Sequence, residues 1–273
     1  MTISISGQVQ TYATIQAAVD AAVNGDIVLV SAGTFREQVT VSDKNITIQG
    51  AGAGQTIIES PAAASLVTHA SDTNSSRPTK YAVITVTADA DVTITGLTVD
   101  GRDQGSIPST PTNYDFLGIY VLNSNAHIDG VAVTGIDELA GPDVSGVQRN
   151  LGIVATSHDA AHGGNGAHTV EIENSTVTGF QKGGIFVNGS TLTANIHDNT
   201  IAGVHTSNTA QNGIQIGSLF GAGGAGTGDF SGTQASVDHN RSPASATMAL
   251  PGAPAGSSSS MATPAACLSP TIP

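Results

Sequence analysis

The sequence predicts an all-β fold, a parallel β-helix solenoid closed at its N-terminal end by a short capping α-helix. Three observations predict it. A Gly-Ile phrase recurs as Gly118-Ile119-Tyr120-Val121, Gly152-Ile153-Val154-Ala155, Gly184-Ile185-Phe186-Val187 and Gly213-Ile214-Gln215-Ile216, at intervals of 34, 32 and 29 residues. Each phrase is followed by a second alternating run (Ala126–Asp129, Val170–Glu173, Ala194–His197, Ser236–Asp238), and three units close on a third run ending in glycine at Gly135, Gly179 and Gly203. Three short strands in each unit of about thirty residues describe one coil of a stack, and no coil can bury its apolar face without its neighbours. Composition agrees: apolar residues make up 39% but aromatics only 4%, with no tryptophan, which suits a narrow aliphatic interior. The 33 glycines follow no Gly-X-Y period, which excludes collagen.

The elements follow in order. From Thr14 to Asn24, the residues Ile15, Ala18, Val19, Ala22 and Val23 form one apolar stripe at helical spacing, and Asn24-Gly25 reads as its stop. Residues 1–25 therefore read as an N-terminal segment with a helix that covers the open end of the solenoid. The β-helix spans 26–240. Its first coil is Ile27–Val30, Gln38–Val41 and Asn45–Ile48, with Ser31–Thr34 and Ser42–Lys44 as separators. The second is Thr56–Ile58, Ala82–Val86 and Val92–Val99, with a loop over 61–80. After Asn240 the register calls for Thr and then an apolar residue, but the chain gives Arg241-Ser242-Pro243. From 241 to 273 it reads as an Ala/Ser/Pro-rich disordered tail. An uncapped last coil then predicts self-association.

The N-terminal sixty residues carry a resemblance. Thr14–Ala22, Gly25-Asp26, Ala32–Phe35 with Glu37, Lys44–Gly50 and Thr56–Ile58 look like the N-terminal signature of pectinesterases. These are right-handed parallel β-helix proteins of the pectate-lyase-like superfamily. The resemblance implies right-handed coiling and, by analogy, a polysaccharide partner and a secreted or cell-surface location. Its chemistry does not carry over. There is no Gln-Asp pair and no Trp, and Asp115-Phe116-Leu117-Gly118 echoes the Asp-Phe-x-Phe-Gly motif only in part. Of the polygalacturonase motifs only Asn113-Tyr114-Asp115 fits, and the Asp-Pro-His-Glu of alginate epimerases is absent.

Charge narrows the partners. With 21 acidic against 8 basic residues the net charge is −13, which repels nucleic-acid phosphates and anionic lipid and makes a cation such as Ca2+ a fitting companion. One cysteine, Cys267, excludes an internal disulfide. No stretch has the length of a membrane-spanning helix, and no secretory leader is legible at Met1–Gln10.

Inward files are apolar, so function is expected in outward files and loops. One outward file runs Thr95, Asp129, Glu173, His197, Asp238. Carboxylates stacked on neighbouring coils, Asp129 and Glu173, repel unless a cation or a proton lies between them, or water and salt screen them. They are the candidate metal ligands. Tyr120 and Phe186 point outward as a candidate sugar-stacking pair, or as packing for a loop. Two insertions, 101–117 and 136–151, leave one corner on consecutive coils and form a wall. They gather Arg102, Asp103, Asp115 and Arg149, with Lys182 on the next coil, as candidate catalytic residues; Asp137 and Glu138 are candidate substrate contacts. Uronate chemistry needs a base and a cation that neutralises the sugar carboxylate, which is why these residue types are chosen. A further loop, Thr156–His168, carries His158, Asp159, His162 and His168; it reads as solvated, with metal binding as the alternative. The functional reading is a polysaccharide-directed protein, a lyase, hydrolase or esterase on pectin- or alginate-like glycan. The rivals are a non-catalytic adhesin-like solenoid and an inactive fragment.

Overall fold

The structure is a computed structural model that describes residues 2–7, 10–68, 79–107, 114–138, 150–158, 164, 166–203, 211–217 and 233–242. It is a parallel β-helix. Strand β1 (Ile3–Ile5) and helix α1 (Ile15–Ala21) precede the first coil, β2 (Ile27–Val30), β3 (Gly33–Arg36) and β4 (Val39–Ser42). The second coil is β5 (Asn45–Gly50), β6 (Thr56–Glu59) and β7 (Thr79–Thr87); the third is β8 (Asp91–Thr95), β9 (Thr98–Asp100) and β10 (Tyr114–Leu122). The fourth is β11 (Asn125–Asp129), β12 (Ala132–Thr134) and β13 (Leu151–Thr156), and the fifth is β14 (His168–Glu173), β15 (Thr176–Thr178) and β16 (Gly183–Asn188). The sixth is β17 (Leu192–His197), β18 (Thr200–Ala202) and β19 (Asn212–Ile216), after which β20 (Gln234–Asp238) opens another.

Three sheets result, one strand per coil in each. The first sheet holds β1-β2-β5-β8-β11-β14-β17-β20, the second β3-β6-β9-β12-β15-β18 and the third β4-β7-β10-β13-β16-β19. Among the described strands every pairing is parallel except that of β1 with β2. The register turns sequence columns into spatial files. Val39, Ile84, Ile119, Ile153, Ile185 and Ile214 form one file, and Ile48, Ile94, Ile128, Ile172 and Ile196 another. Branched aliphatic side chains suit this place because their restricted rotamers pack on a pleated surface. Between the first and second sheets one residue per coil takes a left-handed conformation: Gly96, Gly130, Asn174, Asp198 and His239, with φ from 49 to 63°. The residue after that corner turns inward, where Ser175, Asn199 and Asn240 form a ladder. The Asn199 Nδ2 donates to Ile172 O and the Asn240 Nδ2 to Ile196 O, satisfying corner carbonyls.

The recurring glycines now have a cause. A Cβ on Gly118 would lie 2.6 Å from Gly152 O, one on Gly152 2.6 Å from Gly184 O, and one on Gly184 2.6 Å from Gly213 O. Successive coils approach too closely there for any side chain.

The N-terminal cap is built from the residues of the signature. Gln16 accepts from Thr40 N (2.7 Å) and donates to Thr40 O (3.1 Å), so its amide pairs the edge of β4 as a strand would. The Glu37 carboxylate accepts from Ile15 N and Gln16 N, each 2.9 Å, at the start of α1. The Lys44 ammonium donates to Val19 O, Asp20 O and Ala22 O at its end. Lys44→Met should lower stability by about 1–3 kcal/mol, because three charge-assisted bonds go while the stem still packs; urea unfolding measures it.

Several expectations need correction. The helix stops at Ala21, with Ala22 extended, so Gly25 (φ +94°) is not its left-handed cap, and Val23 is exposed. Ser31–Thr34 is not a separator: Gly33–Arg36 is a strand. Val92–Val99 is two strands broken by the Gly96 corner, and Thr79 and Lys80 belong to β7. Arg241 still pairs with Thr200, its N–H reaching Asn199 O at 2.7 Å, so the register persists one residue further than expected. All of β20 is exposed. The unit Met1–Pro243 holds every described residue; residues 244–273 lie outside them.

Candidate functional site

The outer face of the first sheet carries two polar files side by side. The expected file is present in register: Thr95, Asp129, Glu173, His197, Asp238. Two residues earlier on the same strands runs a second, Thr93, His127, Glu171, Asn195, Ser236. Alternation sends both outward from β8, β11, β14, β17 and β20. Their charged members meet on coils four to six. His127 Nε2 lies 2.8 Å from Glu173 Oε1 and 3.7 Å from Glu171 Oε2. His197 Nε2 lies 3.5 Å from Glu171 Oε1 and 3.9 Å from Glu173 Oε2. Beside them lies a groove of about 300 Å³, lined by Asp91, Asn125, His127, Thr169, Glu171, Thr193 and Asn195.

The expected Asp129–Glu173 repulsion is eased by a neighbouring amide. Asn174, in the left-handed corner, turns its amide back and donates to Asp129 Oδ1 (2.9 Å) and Glu173 Oε2 (3.0 Å). The metal-ligand expectation therefore changes. Glu173 belongs to the converging group His127, Glu171 and Glu173, whose donor atoms lie within 4.8 Å of one another, and Asp129 does not. The Asp198 carboxylate, bonded to His197 Nδ1, holds that imidazole's pKa above the usual range, and Glu171 and Glu173 add to the effect.

The residues of the corner proposed for catalysis have different partners among the described residues. Asp115 is buried and paired with Lys80 on β7. Arg102 turns toward the preceding coil, its Nε 3.4 Å from Glu59 Oε2 and its guanidinium donating to Ser60 O. Asp103 lies beside Asp100; burial first, then that charge, raises its pKa. Lys182 is buried, which lowers its pKa, and its N–H donates to Asn150 O. Gly105 N donates to Asp137 O, and Glu138 N to Asp137 Oδ1. No described bond joins Arg102, Asp115 and Lys182 to one another. Arg149 lies outside the described residues.

Tyr120 and Phe186 do point away from the interior, in file with Val154 and Gln215. Neither is exposed: each is 1% accessible, packed with Ala82, Leu117, Leu122, Leu151 and Val154 in a second apolar cluster. The ring of Phe186 lies over Gly183, where a Cβ would come within 1.7 Å of it. The packing alternative holds, and neither ring offers a face to a sugar.

One constellation escaped the sequence reading. Ser157 Oγ lies 2.7 Å from His168 Nδ1, and His168 Nε2 lies 2.9 Å from Asp89 Oδ1. It has the order of a hydrolytic triad but not the setting of one. Ser157 is fully buried, its Oγ also bonded to Thr191 Oγ1 at 2.6 Å, and its N–H goes to Asn188 O. A nucleophile needs a path to substrate and donors for the oxyanion. This network instead ties together the corners of successive coils. His168 thus opens β14 as a buried residue, not as part of a solvated loop.

No family model and no curated protein matches the chain. Similar solved structures include the pectin methylesterase PemA of Erwinia chrysanthemi, at 15% identity and TM-score 0.42, over 71% of this chain and 52% of PemA. The match thus spans about half of PemA. A mutant pectin methylesterase in complex with a hexasaccharide is 16% identical, TM-score 0.43, over 87% of this chain and 78% of its own. A Geobacillus virus E2 protein (ORF18) is 13% identical, TM-score 0.44, over 83% and 46%.

Proposed function

We propose that this chain is a polysaccharide-directed β-helix protein that binds a uronate-rich glycan, of the pectin or alginate kind, along the groove on the outer face of its first sheet. The observation that carries the reading is the groove itself. It crosses parallel strands and presents amides, hydroxyls, a histidine and carboxylates at strand-to-strand spacing, which suits a chain of sugar hydroxyls. Because the face is acidic, a uronate carboxylate would meet it through a divalent cation. Such a partner places the working protein at the cell surface or outside the cell. Among the described residues no helix is long and apolar enough to cross a membrane. Binding is preferred to lyase, hydrolase or esterase action because Arg102 is engaged by Glu59 and Ser60 and Asp115 by Lys80.

Affinity electrophoresis on polygalacturonate and alginate, with and without Ca2+, tests this. Retardation is expected, weakened about 3- to 10-fold in a Thr169→Val/Thr193→Val variant, which loses two exposed hydroxyls of the groove. Unchanged mobility on every glycan would refute the reading. A rise in unsaturated-uronate absorbance, or methanol release from methylated pectin, would replace binding with catalysis.

A further inference from the structure

The geometry points to a divalent transition-metal site of the zinc class on the outer face of the first sheet, with His127, Glu171 and Glu173 as ligands and His197 beside them. It shares His127 and Glu171 with the groove but does not need the glycan reading. The ligands come from the adjacent strands β11 and β14, with His197 on β17, so the hydrogen-bonded stack fixes their spacing. Donors bound about 2.0–2.1 Å from a tetrahedral zinc are about 3.3–3.4 Å apart along each edge. The two His127–Glu separations here, 2.8 and 3.7 Å, bracket that edge. An ion could enter with small rotations of side chains that are 19–43% exposed and need no backbone movement.

The surrounding bonds fit the same reading. Glu171 Oε1 accepts from Asn195 Nδ2 (3.2 Å) and Glu173 Oε2 from Asn174 Nδ2 (3.0 Å). The Asp198 carboxylate takes His197 Nδ1 at 2.9 Å. Each supports a ligand from behind, as outer partners of metal ligands do. An imidazole in the set selects against Ca2+, which takes six to eight oxygen ligands, and favours Zn2+, Ni2+, Co2+ or Cu2+. The Ca2+ expected from the acidic composition is therefore not the ion this group fits.

The test uses the full, untagged chain stripped by a chelator and titrated with Zn2+, and separately with Ca2+, by isothermal titration calorimetry at neutral pH. One Zn2+ per chain is expected, with no saturable Ca2+ heat over the same range. Bound Co2+ should show the intense visible absorption of a four-coordinate site. His127→Gln and Glu171→Gln should each weaken Zn2+ binding at least about 10-fold, and Asp198→Asn, one shell out, about 10-fold or more. Thr169→Val/Thr193→Val should leave Zn2+ affinity unchanged, which keeps a failure of the glycan reading distinct from a failure of this one. His127, Glu171, Asp198, Thr169 and Thr193 are all exposed or half-buried, so circular dichroism should show every variant folded. Absence of saturable Zn2+ binding, equal binding of Ca2+, or Zn2+ affinity indifferent to His127→Gln and Glu171→Gln would overturn the site.

Discussion

Asp115→Ala should cost about 3–5 kcal/mol of stability, the largest single-site loss expected in the described chain. Sequence alone makes Asp115 a candidate catalytic acid, because it lies in an insertion rich in charge. The structure makes it one half of a buried ion pair. Asp115 is 1% and Lys80 6% accessible, and they face each other at matched register on β10 and β7. Each ion loses several kcal/mol of hydration on burial, and their attraction offsets that loss. Alanine removes the carboxylate and leaves the buried Lys80 ammonium without this partner. A Lys80→Met/Asp115→Leu double variant should recover part of the loss, since it removes the ammonium together with the carboxylate. Guanidinium unfolding of the three proteins measures this. A loss below about 1 kcal/mol for Asp115→Ala would mean that water reaches the pair.

Gly152→Ala should destabilise by about 1–3 kcal/mol, although alanine is the better strand former. Its Cβ would come within 2.5 Å of Val177 Cγ1 and 2.6 Å of Gly184 O. The first can turn, but the second is backbone held in the neighbouring coil. Relief requires coils four and five to separate, which strains the pairing of β13 with β16. Gly166, where a Cβ meets nothing within 4 Å, is the control; Gly166→Ala should stay within about 0.5 kcal/mol of the parent. Equal effects at the two positions would remove the close-approach explanation of the recurring Gly-Ile phrase.

The stack was legible because its two signals are periodic. Alternation assigns inward and outward faces, and a fixed interval aligns them between coils, so the file through Ile119, Ile153, Ile185 and Ile214 could be read directly. Gly33–Arg36 was missed because a four-residue strand beginning with Gly-Thr hardly alternates. Asp129 and Glu173 were read as a site from one file alone. The same register applied two residues earlier aligns His127, Glu171 and Asn195, and would have revealed the mixed histidine–carboxylate group. Asn174 was not legible: only its left-handed backbone returns the amide to Asp129. Alternation also cannot tell an outward residue in water from an outward residue under cover, which is why sequence leaves both sugar stacking and loop packing open for Tyr120 and Phe186. Shared position on a wall likewise does not fix side-chain contacts: Arg102 turns to Glu59 on the preceding coil, while Asp115 pairs with Lys80.

The account depends on coil-to-coil register, and chemical cross-linking reads that register directly. Thr169 and Thr193 are exposed partners on β14 and β17, whereas Thr93 lies two coils from β14 in a neighbouring file. Adjacent parallel strands are about 4.8 Å apart, within reach of a short bis-thiosulfonate reagent. In a Cys267→Ser background, Thr169→Cys/Thr193→Cys should cross-link rapidly within one chain, and Thr169→Cys/Thr93→Cys should not. Cross-linking of the second pair but not the first would contradict the register and, with it, the convergence of His127, Glu171, Glu173 and His197.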